Sequence, residues 1–371
     1  MIYIKLIMSK PFSLKLINFV FKLISFVLPV KKRVLFLGSP RNEKLMANTQ
    51  LVYDELNCNK KIIIKLMPHS ILDILYVSFF IMTSKVMVLD DNYRYFAYIP
   101  LKKNQKLVQI WHGPGAFKKI SLDLPTSLPI EKYTHEQYDA YISSSKDVSF
   151  CFETAFGLKK EVIKPLGYPL TDLLLNNKNQ LEMKFNKLFP ELKNKNKILY
   201  LPTYRRYGGI DVLDYDYEIN WDDLNTFLEE YDSVFIVKKH PLLIHQNINF
   251  VPKNFERILE LNDIDYYVLL VGADLLITDY SSSYFDYLML NRPIIFYCPD
   301  VDEYSSKQGF YIKFPDEVPG EFCETCDELI SVLKNIDYDV DYSKYKDWYM
   351  GACDGHSSEK IARLIEEYYG D

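Results

Sequence analysis

Four short stretches set polar and charged side chains directly behind runs of β-forming apolar residues. Leu107–Ile110 runs into Trp111-His112-Gly113-Pro114-Gly115, and Ile198–Leu201 into Pro202-Thr203-Tyr204-Arg205-Arg206. Val234–Val237 runs into Lys238-Lys239-His240-Pro241, and Leu275–Ile277 into Thr278-Asp279-Tyr280-Ser281-Ser282-Ser283. Imidazole is the one unperturbed side chain that exchanges protons near neutral pH, so His112 is a candidate general base, although a single histidine is usually structural. Arg205 offers the bidentate phosphate contact that lysine lacks. Lys239 and His240 suit charge developing on a diphosphate leaving group. Asp279 and the serines fall where a helix N-cap belongs, and a helix N-terminus with free amides and hydroxyls suits a phosphate. Asp279 and Ser281 would equally cap a core helix, but three consecutive serines exceed what one cap needs.

Such groups act only if the elements behind them are strands of one sheet. Arg33–Gly38 reads as a first buried strand, and the absence of GxGxxG after it leaves a dinucleotide site unsupported. Ile62–Met67, Val86–Leu89, Leu107–Trp111, Ala140–Ser143 and Glu161–Leu166 read as further strands, with helical stretches between them. The polar, lysine- and asparagine-rich stretch Asn176–Lys197 is expected to hold one connecting helix and the domain boundary. Ile198–Leu201, Val234–Lys238, Asp274–Thr278 and Pro293–Tyr297 then repeat the pattern. Phe285, Leu288 and Met289 give the helix after the serines an apolar face, as Ile361, Leu364, Ile365 and Tyr368 do for the last helix, Ser357–Tyr369. The expected architecture is α/β: two Rossmann-like domains, residues 31–180 and 190–371, facing across a cleft that is the default active site.

Residues 11–30 are strongly apolar, with Lys15, Asn18, Lys22 and Ser25 in one helical stripe. Two mid-segment lysines argue against a spanning helix, and no small-residue cleavage site marks a secretory signal. An amphipathic helix over residues 11–30, within a membrane-associating segment of residues 1–30 lying in the cytoplasmic membrane interface, fits better; packing on the protein's own core is the alternative. The first 42 residues carry eight basic residues and no acid, so within a net charge of −6 the body is acidic, which argues against nucleic-acid binding. Cys323 and Cys326 form a lone CxxC with no second pair or histidine at zinc spacing, so a structural role and a reducing compartment are expected.

The same residues carry a resemblance. WHG with the following FKKI, PTYR, KKHP, TDYSSSYFDYLMLNRPIIFY, DEYSSKQGFY and DG-x-SSEK resemble, in order from about residue 30 to the C-terminus, the CDP-glycerol glycerophosphotransferase family of teichoic acid and capsule synthesis. The resemblance implies a glycosyltransferase-B-like fold that moves a polyol phosphate from CDP-glycerol or a related CDP-polyol to a hydroxyl of a lipid-linked or polysaccharide acceptor, releasing CMP at the cytoplasmic face. It implies His112 as catalytic base and His240 as a second essential histidine near the donor phosphates. It further places Pro202, Thr203, Lys239, Ser281, Ser282 and Asp286 against the CDP moiety and Arg205 in the same loop. Trp111, Gly113 and Asp279 are counted with the substrate-binding residues of these motifs. No cofactor is implied, and without a DxD-like acidic pair a metal is not expected.

Two departures bear on the donor. WHGPG replaces the usual WHGTP, and Gly167-Tyr168-Pro169-Leu170-Thr171-Asp172 puts Leu170 where the family has an arginine. The short N-terminal half fits a primase or capsule-type transferase at least as well as a long-chain polymerase. A nucleotide-sugar glycosyltransferase of the same fold and a non-catalytic glycan-binding homologue remain the alternatives.

Overall fold

The computed structural model describes residues 23–38, 45, 47–59, 61–64, 71–97, 99–114, 116–124, 135–207, 210–211, 217–245 and 247–370. Most of the expected amphipathic segment, residues 1–22, therefore lies outside the described residues. The chain forms two compact units: one of residues up to 114 with Ile120–Asp172 and Gly351–Asp371, the other of Gly115–Lys119 with Leu173–Met350.

The first unit is built on six parallel strands: β1 (Lys31–Leu37), β2 (Lys61–Ile64), β3 (Ser84–Leu89), β4 (Lys106–Gln109), β5 (Ala140–Ser143) and β6 (Ile163–Pro165), in the order β2-β1-β3-β4-β5-β6. Val34, Leu35, Phe36 and Leu37 are all fully buried, as expected of a parallel strand covered on both faces, and the run is apolar without alternation for that reason. Helices Ala47–Glu55, Ile71–Thr83 and Ser149–Phe156 cross over between strands.

The second unit repeats the plan with β7 (Asn196–Leu201), β10 (Ser233–Val237), β11 (Ile258–Glu260), β12 (Leu275–Thr278), β13 (Ile294–Tyr297) and β14 (Glu321–Cys323), in the parallel order β11-β10-β7-β12-β13-β14. A small antiparallel pair, β8 (Arg206–Tyr207) and β9 (Ile210–Asp211), extends from the loop after β7. The connecting helix expected within Asn176–Lys197 is Lys178–Leu188, whose Phe185 packs directly on Gly272, where a Cβ would meet its ring at 2.1 Å. Cys323 is buried at the end of β14, and Cys326 opens the next helix with its sulfur accepting from Asn220 N–H at 3.3 Å; burial raises both thiols.

The observed units depart from the expected division at 31–180 and 190–371 at three places, the first being residues 173–180, which belong to the second unit. Residues 115–119 leave the first unit for the second, where Phe117 packs against Tyr284, Phe310 and Phe314 at ring separations of 5.1, 5.0 and 5.4 Å. The C-terminal helix, Ser357–Gly370, belongs to the first unit: Ile361, Ala362 and Ile365 pack with Val34, Phe36, Val86, Val88 and Val108. Its start is clasped by Asp172, which accepts from Ser357 N–H at 3.0 Å and from Ser358 N–H and Oγ at 2.7 Å each. A Cβ on Gly167 (φ +94°) would lie 2.2 Å from Ser357 Oγ, so the loop can close on the helix only with glycine there. Two motif blocks far apart in sequence thus form one structural clasp.

Candidate active site

The second sheet reverses its strand order between β7 and β12, and ligands of open α/β sheets bind outside the carboxyl ends of strands at such a point. The loops there are PTYR after β7 and DYSSS after β12, with KKHP after β10 and Asp300 after β13 on either side. Arg205 is their hub. It is 1% exposed, and its Nη1 reaches Asp279 Oδ2 at 2.6 Å and the Thr203 carbonyl at 2.8 Å. Its Nε and Nη2 reach the two Asp300 oxygens at 2.8 and 3.0 Å. Tyr280 donates to Asp300 Oδ1 at 2.9 Å and stacks on Tyr304 at 3.7 Å; both rings lie within 6 Å of the guanidinium.

Three charged groups of these loops have internal partners. Arg205 faces two internal carboxylates, because a guanidinium so deeply buried must be compensated within the fold. Asp279 does not cap the following helix; its carboxylate accepts from Thr203 N–H at 2.9 and 3.0 Å and ties the β12 loop to the β7 loop. Lys239, 4% exposed, donates to the Ile248 carbonyl and Asn249 Oδ1 at 3.0 and 3.1 Å and pairs with Glu260 at 2.8 Å.

With these charges turned inward, other groups face out. His240 is exposed, its Nδ1 accepts from Leu242 N–H at 3.2 Å, and its ring stacks on Tyr204 at 6.0 Å. That acceptor bond leaves Nε2 as the protonated nitrogen of the neutral ring. Ser282 is exposed and Ser281 half-buried, with Ser281 Oγ 2.8 Å from Ser283 Oγ and accepting from Ser283 N–H at 3.2 Å. The N-cap position falls to Ser282, whose side chain makes no capping hydrogen bond. The helix Ser283–Leu288 is only six residues long, so hydroxyls rather than a long dipole characterise this turn. Pro202 is buried, and Thr203 Oγ1 is buried without a hydrogen-bond partner among the described residues.

Asp286 is also buried. Its Oδ2 accepts from Tyr266 OH at 2.9 Å and its Oδ1 has no partner among the described residues. Burial pushes this carboxyl up to about 7 against the downward pull of the Tyr266 hydrogen bond. Lys118, half-buried in the FKKI block, is lowered to about 8 by desolvation, which outweighs the attraction of Asp279.

In the first unit the loop after β4 carries Trp111, His112 and Gly113. His112 is exposed, and its ring lies 4.3 Å from the half-buried indole of Trp111. Trp111 has φ +64°, a left-handed conformation unusual for a residue with a side chain and typical of functional turns when it occurs. Its N–H donates to Gln109 Oε1 at 2.9 Å. Gly113 is half-buried and Pro114 buried; Gly115 lies outside the described residues. Leu170 is half-buried, and its N–H donates to Asn48 Oδ1 at 2.9 Å.

The sequence profile of the CDP-glycerol:poly(glycerophosphate) glycerophosphotransferases matches residues 21–367, nearly the whole chain. The chain belongs to that family. It is 30% identical to a teichoic acid ribitol-phosphate primase of Bacillus spizizenii, covering 94% of each chain. To a teichoic acid glycerol-phosphate primase of Bacillus subtilis it is 30% identical, over 81% of this chain and 77% of that one. The structure of the wall teichoic acid polymerase TagF superposes with a TM-score of 0.73 at 23% identity, over 96% of this chain and 93% of that one, which shows a shared fold. Membership makes the chain an enzyme that transfers polyol phosphate in teichoic acid synthesis.

Within this glycerophosphotransferase, the second unit brings Pro202, Thr203, Arg205, Asp279, Ser281 and Ser282 together at the ends of β7 and β12, with Lys239 and His240 on the neighbouring β10 loop. Trp111, His112 and Gly113 sit together on the first unit's β4 loop. Sequence reasoning passed over Asp300, although it too follows a buried strand. It also passed over Gln109 and His135, whose parts depend on contacts with no local signal.

Proposed function

We propose that an acceptor hydroxyl attacks the polyol-bearing phosphorus of a CDP-polyol, with His112 taking the hydroxyl proton. The new P–O bond forms as the bond to the CMP oxygen breaks. His240 Nε2–H donates to that departing oxygen, and Thr203, Ser281 and Ser282 bind the donor phosphates through their hydroxyls. The observation behind this reading is the sorting of the strand-end loops: Arg205 and Lys239 are compensated internally, while two imidazoles and Ser282 are exposed and the Thr203 hydroxyl has no hydrogen-bond partner among the described residues. Neutral hydroxyl and N–H donors placed by a rigid ionic scaffold suit a dianionic diphosphate whose charge shifts during transfer.

The donor is glycerol- or ribitol-linked, and the acceptor is lipid-linked or a polysaccharide at the cytoplasmic face of the membrane. Residues 23–27 are helical, with Ser25 buried and Leu23, Phe26 and Val27 turned outward at 57%, 87% and 77% exposure, which supports an apolar face offered to lipid. Lys31, Lys32, Arg33 and Lys61 line a depression of about 640 Å³ on the same unit, a basic surface suited to anionic headgroups.

Calorimetric titration with CDP-glycerol, CDP-ribitol, CMP and a UDP-sugar, paired with an assay for phosphorus transfer and CMP release, tests the reading. Selective binding of one CDP-polyol with turnover supports it. Preference for the UDP-sugar would move the chain to the glycosyltransferases, and saturable binding without turnover would make it a non-catalytic homologue. Removing residues 1–30 is expected to release the protein from anionic vesicles while activity on a soluble acceptor analogue persists; retained vesicle binding would refute the anchor.

A further inference from the structure

The left-handed turn that presents His112 is held from behind by a chain of buried, uncharged hydrogen bonds. Gln109, fully buried, accepts from Trp111 N–H through Oε1 at 2.9 Å, while its Nε2 donates to the Asp91 carbonyl at 2.9 Å and to Tyr138 Oη at 3.2 Å. Tyr138 Oη lies 3.3 Å from His135 Nδ1, and His135 Nε2 lies 2.9 Å from Ser121 Oγ. Ser121 is itself left-handed, at φ +49°. Two side-chain-bearing residues in a rarely adopted backbone region are therefore the two ends of one polar chain. The aromatic packing follows the same path, because the edge of Phe156 meets Trp111 at 5.1 Å and His135 at 4.7 Å.

With the Gln109 amide donating to Tyr138, the remaining contacts are both met when the Tyr138 hydroxyl donates to His135 Nδ1 and His135 Nε2–H donates to Ser121. This order needs a neutral imidazole, and burial of His135 pulls it down to about 4, so it stays neutral wherever an enzyme of this kind works. His135 is fully buried, whereas His112 is exposed; the first is suited to holding a turn and the second to exchanging a proton.

We propose that Gln109 is the positioning residue for His112, with Tyr138 and His135 orienting its amide. It acts by fixing Trp111 in the left-handed conformation that points the following imidazole outward. The inference rests on His112 being the base. A general base displaced by about 1 Å loses on the order of 100-fold in rate, so loss of the Gln109 acceptor should reduce kcat without touching the donor loops of the second unit.

The test measures kcat, donor Kd and the exchange rate of the Trp111 amide in protein labelled with ¹⁵N-tryptophan; with three tryptophans in the chain, a Trp111→Phe variant assigns the signal. Gln109→Leu should lower kcat by about 100-fold, leave donor Kd within twofold and speed exchange at Trp111 while the Trp221 and Trp348 amides are unchanged. Tyr138→Phe, a milder change that secures a folded variant, should shift the same two readouts in the same direction, with kcat down by about tenfold. A kcat within threefold of the parent in both variants would overturn the proposal, and so would donor affinity falling in step with kcat. His112→Ala is measured alongside. If it retained turnover, the base assignment would fall, while Trp111 exchange would still decide whether Gln109 holds the turn.

Discussion

Both histidine-bearing loops follow the carboxyl end of a parallel strand, yet the surroundings of each are held by opposite means. Around the β4 loop of the first unit the supports are neutral: an amide, a phenol and a buried uncharged imidazole. Around the β7, β10 and β12 loops of the second unit the supports are ionic, with Arg205 set between Asp279 and Asp300 and Lys239 against Glu260. The contrast has a physical reason. A group that must gain and lose a proton near neutrality is perturbed by any strong fixed charge beside it, so it is better oriented by dipoles. Loops proposed to receive a diphosphate need rigidity and an internally compensated charge, and a buried, bidentate arginine provides both.

The sharpest way to break this comparison is to remove the proposed proton acceptor alone. His112→Ala is expected to lower kcat by about 10³-fold, with thermal unfolding and donor binding near those of the parent, as read by phosphorus-transfer kinetics and calorimetry. Comparable losses of donor affinity would erase the division of labour between the two units.

Next comes the ionic hub. Arg205→Met leaves Asp279 and Asp300 buried without their cation and is expected to cost about 3–5 kcal/mol, measured by denaturant unfolding. Arg205→Lys should recover only part of this, because a single ammonium cannot span both carboxylates as the fork does. Full recovery with lysine would mean that charge alone, not geometry, braces the loops. A smaller effect is expected from Ser281→Ala with Ser282→Ala: donor Kd rises about tenfold, from loss of hydroxyl contacts, with little change in Tm.

The smallest effect concerns Asp286. Its carboxyl titrates near 7 in the folded protein because of burial, against about 4 in an unfolded chain, so the fold binds this proton more tightly. The stabilisation this supplies is complete below about 4 and is lost as pH rises through 7. Asp286→Asn should therefore raise Tm by a few degrees at pH 8 relative to the parent, by less at pH 5, and change it little at pH 4. An unchanged difference across that range would place the ionisation elsewhere.

Much of this was legible along the chain. Ala140–Ser143 forms a strand over the span its sequence predicts, and β7, β10, β12 and β13 begin or end within two residues of expectation. Buried parallel strands need uninterrupted apolar runs, and that is a local signal. Strands β11 and β14 went unseen because three residues at a sheet edge carry little pattern. The chemistry-bearing types were also visible, since His112, His240, Thr203 and the serines all follow such runs.

The direction in which each of them faces was another matter. Whether an arginine meets a ligand or a carboxylate depends on which strand ends the sheet order sets side by side, and Arg205 meets residues 74 and 95 positions away. His135 meets Gln109 through Tyr138. Asp172 clasps a helix that starts 185 residues later and draws the C-terminus back to the first sheet. Periodicity along a chain records burial, because burial follows from the local alternation of side chains. The partner of a buried polar group is chosen by topology, and so the sequence named the actors of this site while the fold assigned which of them hold still and which reach out.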